Sequence, residues 1–127
     1  MNEQLRYDLQ IGVQSIYVPE QSFPAISRFV FAYTVTIRNE GNVPVRLLSR
    51  HWVITDATGK VQEVRGHGVV GEQPYLRPGE SFQYTSAALL ETSVGSMYGS
   101  YHMTADDGVE FDANIPPFTM SVPHTLH

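Results

Sequence analysis

The sequence predicts an all-β fold, an immunoglobulin-like or fibronectin-III-like antiparallel β-sandwich of seven or more strands with no disulfide. Three observations lead there. Apolar residues recur with a period of two along most of the chain, and no segment shows convincing helical periodicity. Clusters of Gly, Pro, Asp and Thr punctuate these runs at short intervals. Trp52, the only tryptophan, lies mid-strand in the third run, where such sandwiches bury one against the facing sheet. Tyr101, in Gly99-Ser100-Tyr101-His102-Met103, resembles a tyrosine corner.

The elements follow in order. Tyr7, Leu9, Ile11 and Val13 share one face of a first strand, and Phe29, Phe31, Tyr33, Val35 and Ile37 share one face of a second. That aromatic row is core packing rather than a base-stacking surface. Residues 45–55 form a third strand, alternating Leu48, Trp52 and Ile54 against Ser49, His51 and Thr55. Asp56-Ala57-Thr58-Gly59-Lys60 has hairpin-turn chemistry, so residues 61–65 return as its partner. Leu76-Arg77-Pro78-Gly79-Glu80 makes a Pro-Gly turn that launches a strand over residues 81–86. A last hairpin joins residues 97–104 to 109–115 through Ala105-Asp106-Asp107-Gly108. Pro116-Pro117 ends its second arm, before residues 118–122.

Length and composition bound the function. At 127 residues the chain fits one domain spanning residues 1–127, with a flexible tail expected after about residue 122. The absence of cysteine excludes disulfides, thiol nucleophiles and cysteine-ligated metal, and no cofactor is expected. The first eight residues lack a basic region followed by an apolar core, so the expected location is cytoplasmic. The longest apolar stretch, residues 29–33, is far short of the ~20 residues of a membrane helix, so no membrane insertion is expected. Net charge is −5 with a single lysine, which argues against a nucleic-acid partner. The charge is uneven: six basic residues face four acidic ones between Arg38 and Arg77, a balance that would admit a small anion.

Catalytic constellations are missing. There is no Gly-x-Ser-x-Gly, and the Asp106-Asp107 pair sits in a hairpin turn, so an enzyme is not expected. His51, His67, His102, His124 and His127 match no metal-ligand spacing and read as surface residues, so no metal site is expected.

Residues 66–71, Gly66-His67-Gly68-Val69-Val70-Gly71, spell G-x-G-x-x-G. In a dinucleotide-binding unit that spelling opens a helix, but Pro74 and Pro78 deny one here, so the segment is expected to be a loop between strands. Its glycines would supply positive φ or close backbone approach. Two functional expectations attach to it. Exposed Val69 and Val70, with Glu72 and the nearby Tyr75 and Tyr98, would form a surface for a protein partner. Alternatively, the backbone at Gly66, Gly68 and Gly71, helped by Arg65, His67 or Arg77, would cradle a phosphate-containing ligand such as pyrophosphate or a nucleotide polyphosphate. An exposed edge strand also admits a homodimer.

Arg50-His51-Trp52, Ile54-Thr55-Asp56 and Gly68-Val69-Val70-Gly71-Glu72-Gln73-Pro74 closely resemble the bacterial ApaG family. The likeness continues through Pro78-Gly79-Glu80-Ser81-Phe82, Tyr84-Thr85-Ser86, Gly99-Ser100-Tyr101, Phe111-Asp112 and Ile115-Pro116-Pro117-Phe118, and so covers nearly the whole chain. The resemblance implies a fibronectin-III-like domain, found alone in bacteria and within eukaryotic F-box proteins, contexts that favour protein–protein interaction. It also implies an indirect link to cobalt resistance and magnesium efflux, from which divalent-cation sensing is a further expectation. Two departures weaken a metal ligand at 67 and a thiol mechanism: many members carry an acidic residue where this chain has His67, and a cysteine near Ala87-Ala88.

Overall fold

The computed structural model describes residues 6–123. Its eight strands are β1 (Leu9–Tyr17), β2 (Phe29–Asn39), β3 (Val45–Asp56), β4 (Val61–His67), β5 (Tyr75–Leu76), β6 (Ser81–Leu90), β7 (Val94–Ala105) and β8 (Glu110–Ser121). One sheet runs β1-β2-β6; the other runs β4-β3-β7-β8, with β5 also paired to β3, and every pairing is antiparallel. This is the cysteine-free sandwich that the period-two pattern predicts. The expected tail after residue 122 falls almost wholly outside the described residues.

The inward faces interdigitate around Trp52. Phe31, Val35 and Ile37 of β2 and Leu90 of β6 meet Trp52, Met97, Tyr101, Met103, Ile115 and Met120 of the facing sheet, all buried. Trp52 packs edge-on against Tyr33, Tyr101 and Phe118, with ring centroids 5.4, 6.2 and 6.0 Å away. Tyr101 does not form the corner its sequence context suggests. Its hydroxyl crosses the core to share a 2.5 Å hydrogen bond with Tyr84 of the other sheet. Burial pushes the Tyr84 phenol up to about 12 and Tyr101 well above its ordinary range, so both stay neutral at physiological pH.

Two bulges shift the expected registers. In β3 the pairing slips between Leu47 and Ser49, so Leu47, not Leu48, is the buried residue, and the inward parity changes to Arg50, Trp52 and Ile54. The Pro116-Pro117 pair does not end its strand. Between Met97 and Gly99 of β7 the register skips from Phe118 to Ile115, leaving both prolines in a bulge of the edge strand β8, where their missing N–H groups break no ladder. The turns behave as read: Asp56 Oδ1 accepts from the N–H of Thr58 (2.9 Å) and of Lys60 (3.0 Å), and Glu80 N–H donates to Arg77 O across Pro78-Gly79.

The sandwich has unlike sides. On one, β1 and β8 are tied by Ser15 Oγ donating to Thr119 O at 3.0 Å, and Tyr7, just before β1, packs its ring on Phe111 of β8. On the other, β4 pairs only with β3 and β6 only with β2, so both have a free edge along an open seam. A Lys60–Glu91 ion pair and the Ala57 N–H donating to Thr92 Oγ1 (3.0 Å) hold one end of it. The segment between β1 and β2, unassigned by the sequence pattern, forms two short 3-10 turns, Pro19–Gln21 and Pro24–Ile26, each opened by proline.

Candidate functional site

The Asp56–Lys60 turn sets the β3–β4 register, which pairs Ser49 with His67, Arg50 with Gly66, His51 with Arg65 and Trp52 with Val64. Arg50 points inward, and its guanidinium lies over the Gly66 backbone. A Cβ at position 66 would stand 2.7 Å from Arg50 Nη2 and 2.8 Å from Cζ, so any side chain there displaces the guanidinium from its place, and no left-handed φ is involved. Nη1 donates to His67 O (3.0 Å) and Gly68 O (2.9 Å), tethering the start of the loop. Arg50 was not among the residues that the sequence singled out for a site.

Gly66 and His67 therefore belong to β4, not to a loop. The loop proper is a two-residue hairpin: Val69 and Glu72 exchange N–H···O bonds of 2.8 and 2.9 Å around Val70 (φ 44°) and Gly71 (φ 81°). Positive φ at both central residues makes it a type I′ turn, which suits Gly71. Val70 is β-branched, and holding it there costs on the order of 1–3 kcal/mol. Val69 is a correction: it is fully buried in the core cluster, because the turn folds its side chain under the strand ends. Val70, at 54% exposure, and Glu72 remain outside.

The loop amides are mostly engaged. Gly68 donates to Leu48 O at 2.8 Å, and Val69 and Glu72 donate to each other. Arg65 and Arg77 do not converge. Arg65 pairs with His51 in mid-β3, whereas Arg77 follows β5, which pairs with the start of β3, on the order of 20 Å away along the strand. Of the other apolar candidates, Tyr75 is tied down by its hydroxyl to Asp106 (2.6 Å) and by Arg46 over its ring (5.1 Å), while Tyr98 is half exposed on the outer face of β7.

Two open features remain. On the outer face of the larger sheet, Ser49, His51, Arg65, His67, Ser100, His102 and Asp112 line a groove of about 670 Å³. Three of the histidines that read singly as surface residues thus share one site. His51 Nε2 lies 2.7 Å from Glu63, and His102 is held between Asp112 (2.8 Å, Nδ1) and Glu110 (2.6 Å, Nε2). Among the described residues no three His, Cys, Asp or Glu are placed to hold a metal ion, and His124 and His127 lie outside them. The second feature is the open seam, a groove of about 510 Å³ between the free edges of β4 and β6 where the apolar Ile26, Ile54, Val64, Ala87 and Leu89 stand among Arg28, Lys60, Gln62 and Glu91. Among the described residues no helix is long and apolar enough to cross a membrane.

Comparison with known proteins covers the whole chain. The family model described as the ApaG domain matches residues 19–105. Protein ApaG of Thiobacillus denitrificans is 58% identical and that of Methylobacillus flagellatus 55% identical, each over 127 residues and the full length of both chains. A crystal structure from Bordetella pertussis, of a protein given the name ApaA, superposes with a TM-score of 0.93 at 50% identity, covering 97% of this chain and all of that one.

His102 gives a pH prediction. Its hydrogen bond to Asp112, then that to Glu110, raise its pKa above the ordinary histidine value. A raised folded pKa contributes stability that is complete below the unfolded value of about 6.5 and is lost as pH rises through the folded one. The site is exposed, so the effect is small. Thermal melts should show His102→Gln below wild type at about pH 5.5 and the gap narrowing by about pH 8.5; a gap that widens with pH would contradict the assignment.

Proposed function

This chain belongs to the ApaG domain family, and we propose that it is a non-enzymatic protein-recognition module, acting in the cytoplasm, whose partner lies along the seam between β4 and β6. The observation that carries this is the coincidence of two free strand edges with a groove that sets apolar side chains among charged ones. Val64 and Leu89 flank the groove and Ile26 stands beside it at 73% exposure, so side chains and unpaired backbone groups are offered together. An extended segment laid there gains ladder hydrogen bonds from an edge and burial for alternate side chains, the chemistry of strand addition. The glycine turn enters this reading by placing the exposed Val70 at its tip. A homodimer, if the chain forms one, would pair the same edges.

A second reading, binding of a phosphate-containing ligand, is favoured by one feature. Arg65 and His67 share the outer-face groove with the hydroxyls of Ser49 and Ser100. The anion would then meet side chains on the sheet face and not the amides of the turn.

Site-specific photo-cross-linking tests the first reading. A photoreactive residue at Leu89 or Ile26 should give a discrete protein adduct in cells, and one at Thr36, on the polar face of the smaller sheet, should give none; equal or absent adducts would sink the proposal. For the second, millimolar pyrophosphate should shift the amides of residues 49–51 and 65–67. Shifts confined to residues 68–72 would return the ligand to the turn, and no shift would dismiss it.

A further inference from the structure

On its inner side the seam groove adjoins a cavity of about 130 Å³, lined by Tyr33, Arg50, Trp52, Ile54, Val64, Ser86, Ala87, Ala88 and Met97. Ile54, Val64, Ala87 and Ala88 line both spaces, so the two adjoin across these side chains. Its walls are polar and apolar in about equal measure, with the hydrogen-bonding side chains of Tyr33, Arg50, Trp52 and Ser86 set among apolar ones. Trp52 is 1% exposed, and its Nε1–H is the sole buried side-chain nitrogen or oxygen group without a partner among the described residues. Native proteins seldom leave such a donor unpaired. Arg50 brings a cation to the same cavity, and no carboxylate lies within ion-pair range of it among the described residues. Tyr33 and Ser86, directly opposed across β2 and β6, add hydroxyls.

An unpartnered indole N–H and a guanidinium with no carboxylate partner, beside the paired hydroxyls of Tyr33 and Ser86, line a small cavity that holds no anionic acceptor. The acceptor that satisfies them is a carboxylate, which takes several N–H and O–H bonds at once and neutralises the arginine. The cavity also bounds the groove on that side. Past Arg50 the interior is filled by the hydrogen-bonded Tyr84–Tyr101 pair, whose hydroxyls lie close enough to feel the guanidinium charge. A chain entering along the seam therefore stops there. Resting on the seam as the partner site, we propose that the cavity receives the C-terminal carboxylate of an extended peptide, whose last apolar side chains lie along Val64, Ala87 and Leu89.

The sole tryptophan gives the readout, since the nitrogen-15 correlation spectrum of the full chain contains one indole signal. Three probes at millimolar concentration are compared: N-acetyl-leucyl-valine with a free carboxylate, its C-terminal amide, and N-acetyl-leucyl-glutamic acid amide, whose only carboxylate is on a side chain. The free acid should move the indole proton downfield, saturably, together with the amides of Val64 and Ala87. The terminal amide and the glutamyl amide should leave the indole in place. Arg50→Lys, which keeps the charge and loses the fork, should weaken binding of the free acid roughly tenfold, and Trp52→Phe should weaken it with Ala87 as reporter. Equal shifts with acid and amide would overturn the carboxylate while leaving the seam intact. An indole shift with the glutamyl amide would overturn the chain terminus as source. Silence from all three probes would also overturn this proposal, and the cross-linking result at Leu89 then decides separately whether the seam reading falls with it.

Discussion

The guanidinium of Arg50 occupies the volume that any side chain at position 66 would need, and much of the site follows from that exchange. Because residue 66 is glycine, Arg50 lies flat across β4 and reaches the carbonyl oxygens of His67 and Gly68. Those two bonds fix where β4 ends and where the turn begins. The turn then drives Val69 into the core and leaves Val70 at its tip in a conformation that β-branched residues avoid. The same cation lines the inner cavity beside Trp52. One contact thus connects strand register, loop shape and the polarity of a buried space.

The G-x-G-x-x-G spelling divides into three unrelated roles. Gly66 makes room for an arginine, Gly68 adopts φ 62° where the chain leaves β4, and Gly71 completes a type I′ turn at φ 81°. None of these opens a helix, and three of the amides between residues 68 and 72 are already bonded within the protein. The motif shapes a hairpin. Its cofactor meaning depends on a strand-to-helix context that prolines 74 and 78 exclude.

Much of this was legible in local sequence. Period-two alternation located most of the strands, and counting outward from the Asp56–Lys60 turn places Gly66 opposite Arg50 and His67 opposite Ser49. Counting from the Ala105–Gly108 turn places Asp112 opposite His102. The rest depended on contacts distant in sequence. Pairing of β3 with β7 brings His102 beside Ser49, and no local signal encodes it. The bulge at Leu48 reverses inward parity without any glycine or proline to announce it, and the burial of Val69 follows from a turn whose first central residue is a poor match for its φ. The open seam between β4 and β6 is a property of how two sheets stack, which the pattern within either strand does not contain.

The central claim is the direct coupling of Arg50 to Gly66, and a double-mutant cycle in urea measures it most directly. Gly66→Ala introduces a Cβ where the guanidinium lies, so it should destabilise the wild-type background by about 1–3 kcal/mol, the cost of the two carbonyl hydrogen bonds that the displaced guanidinium gives up. In an Arg50→Ala background that cost should largely vanish, because the space is empty and alanine is otherwise no worse than glycine in a strand. A coupling energy above about 1 kcal/mol is the predicted result; strict additivity of the two substitutions would contradict the account.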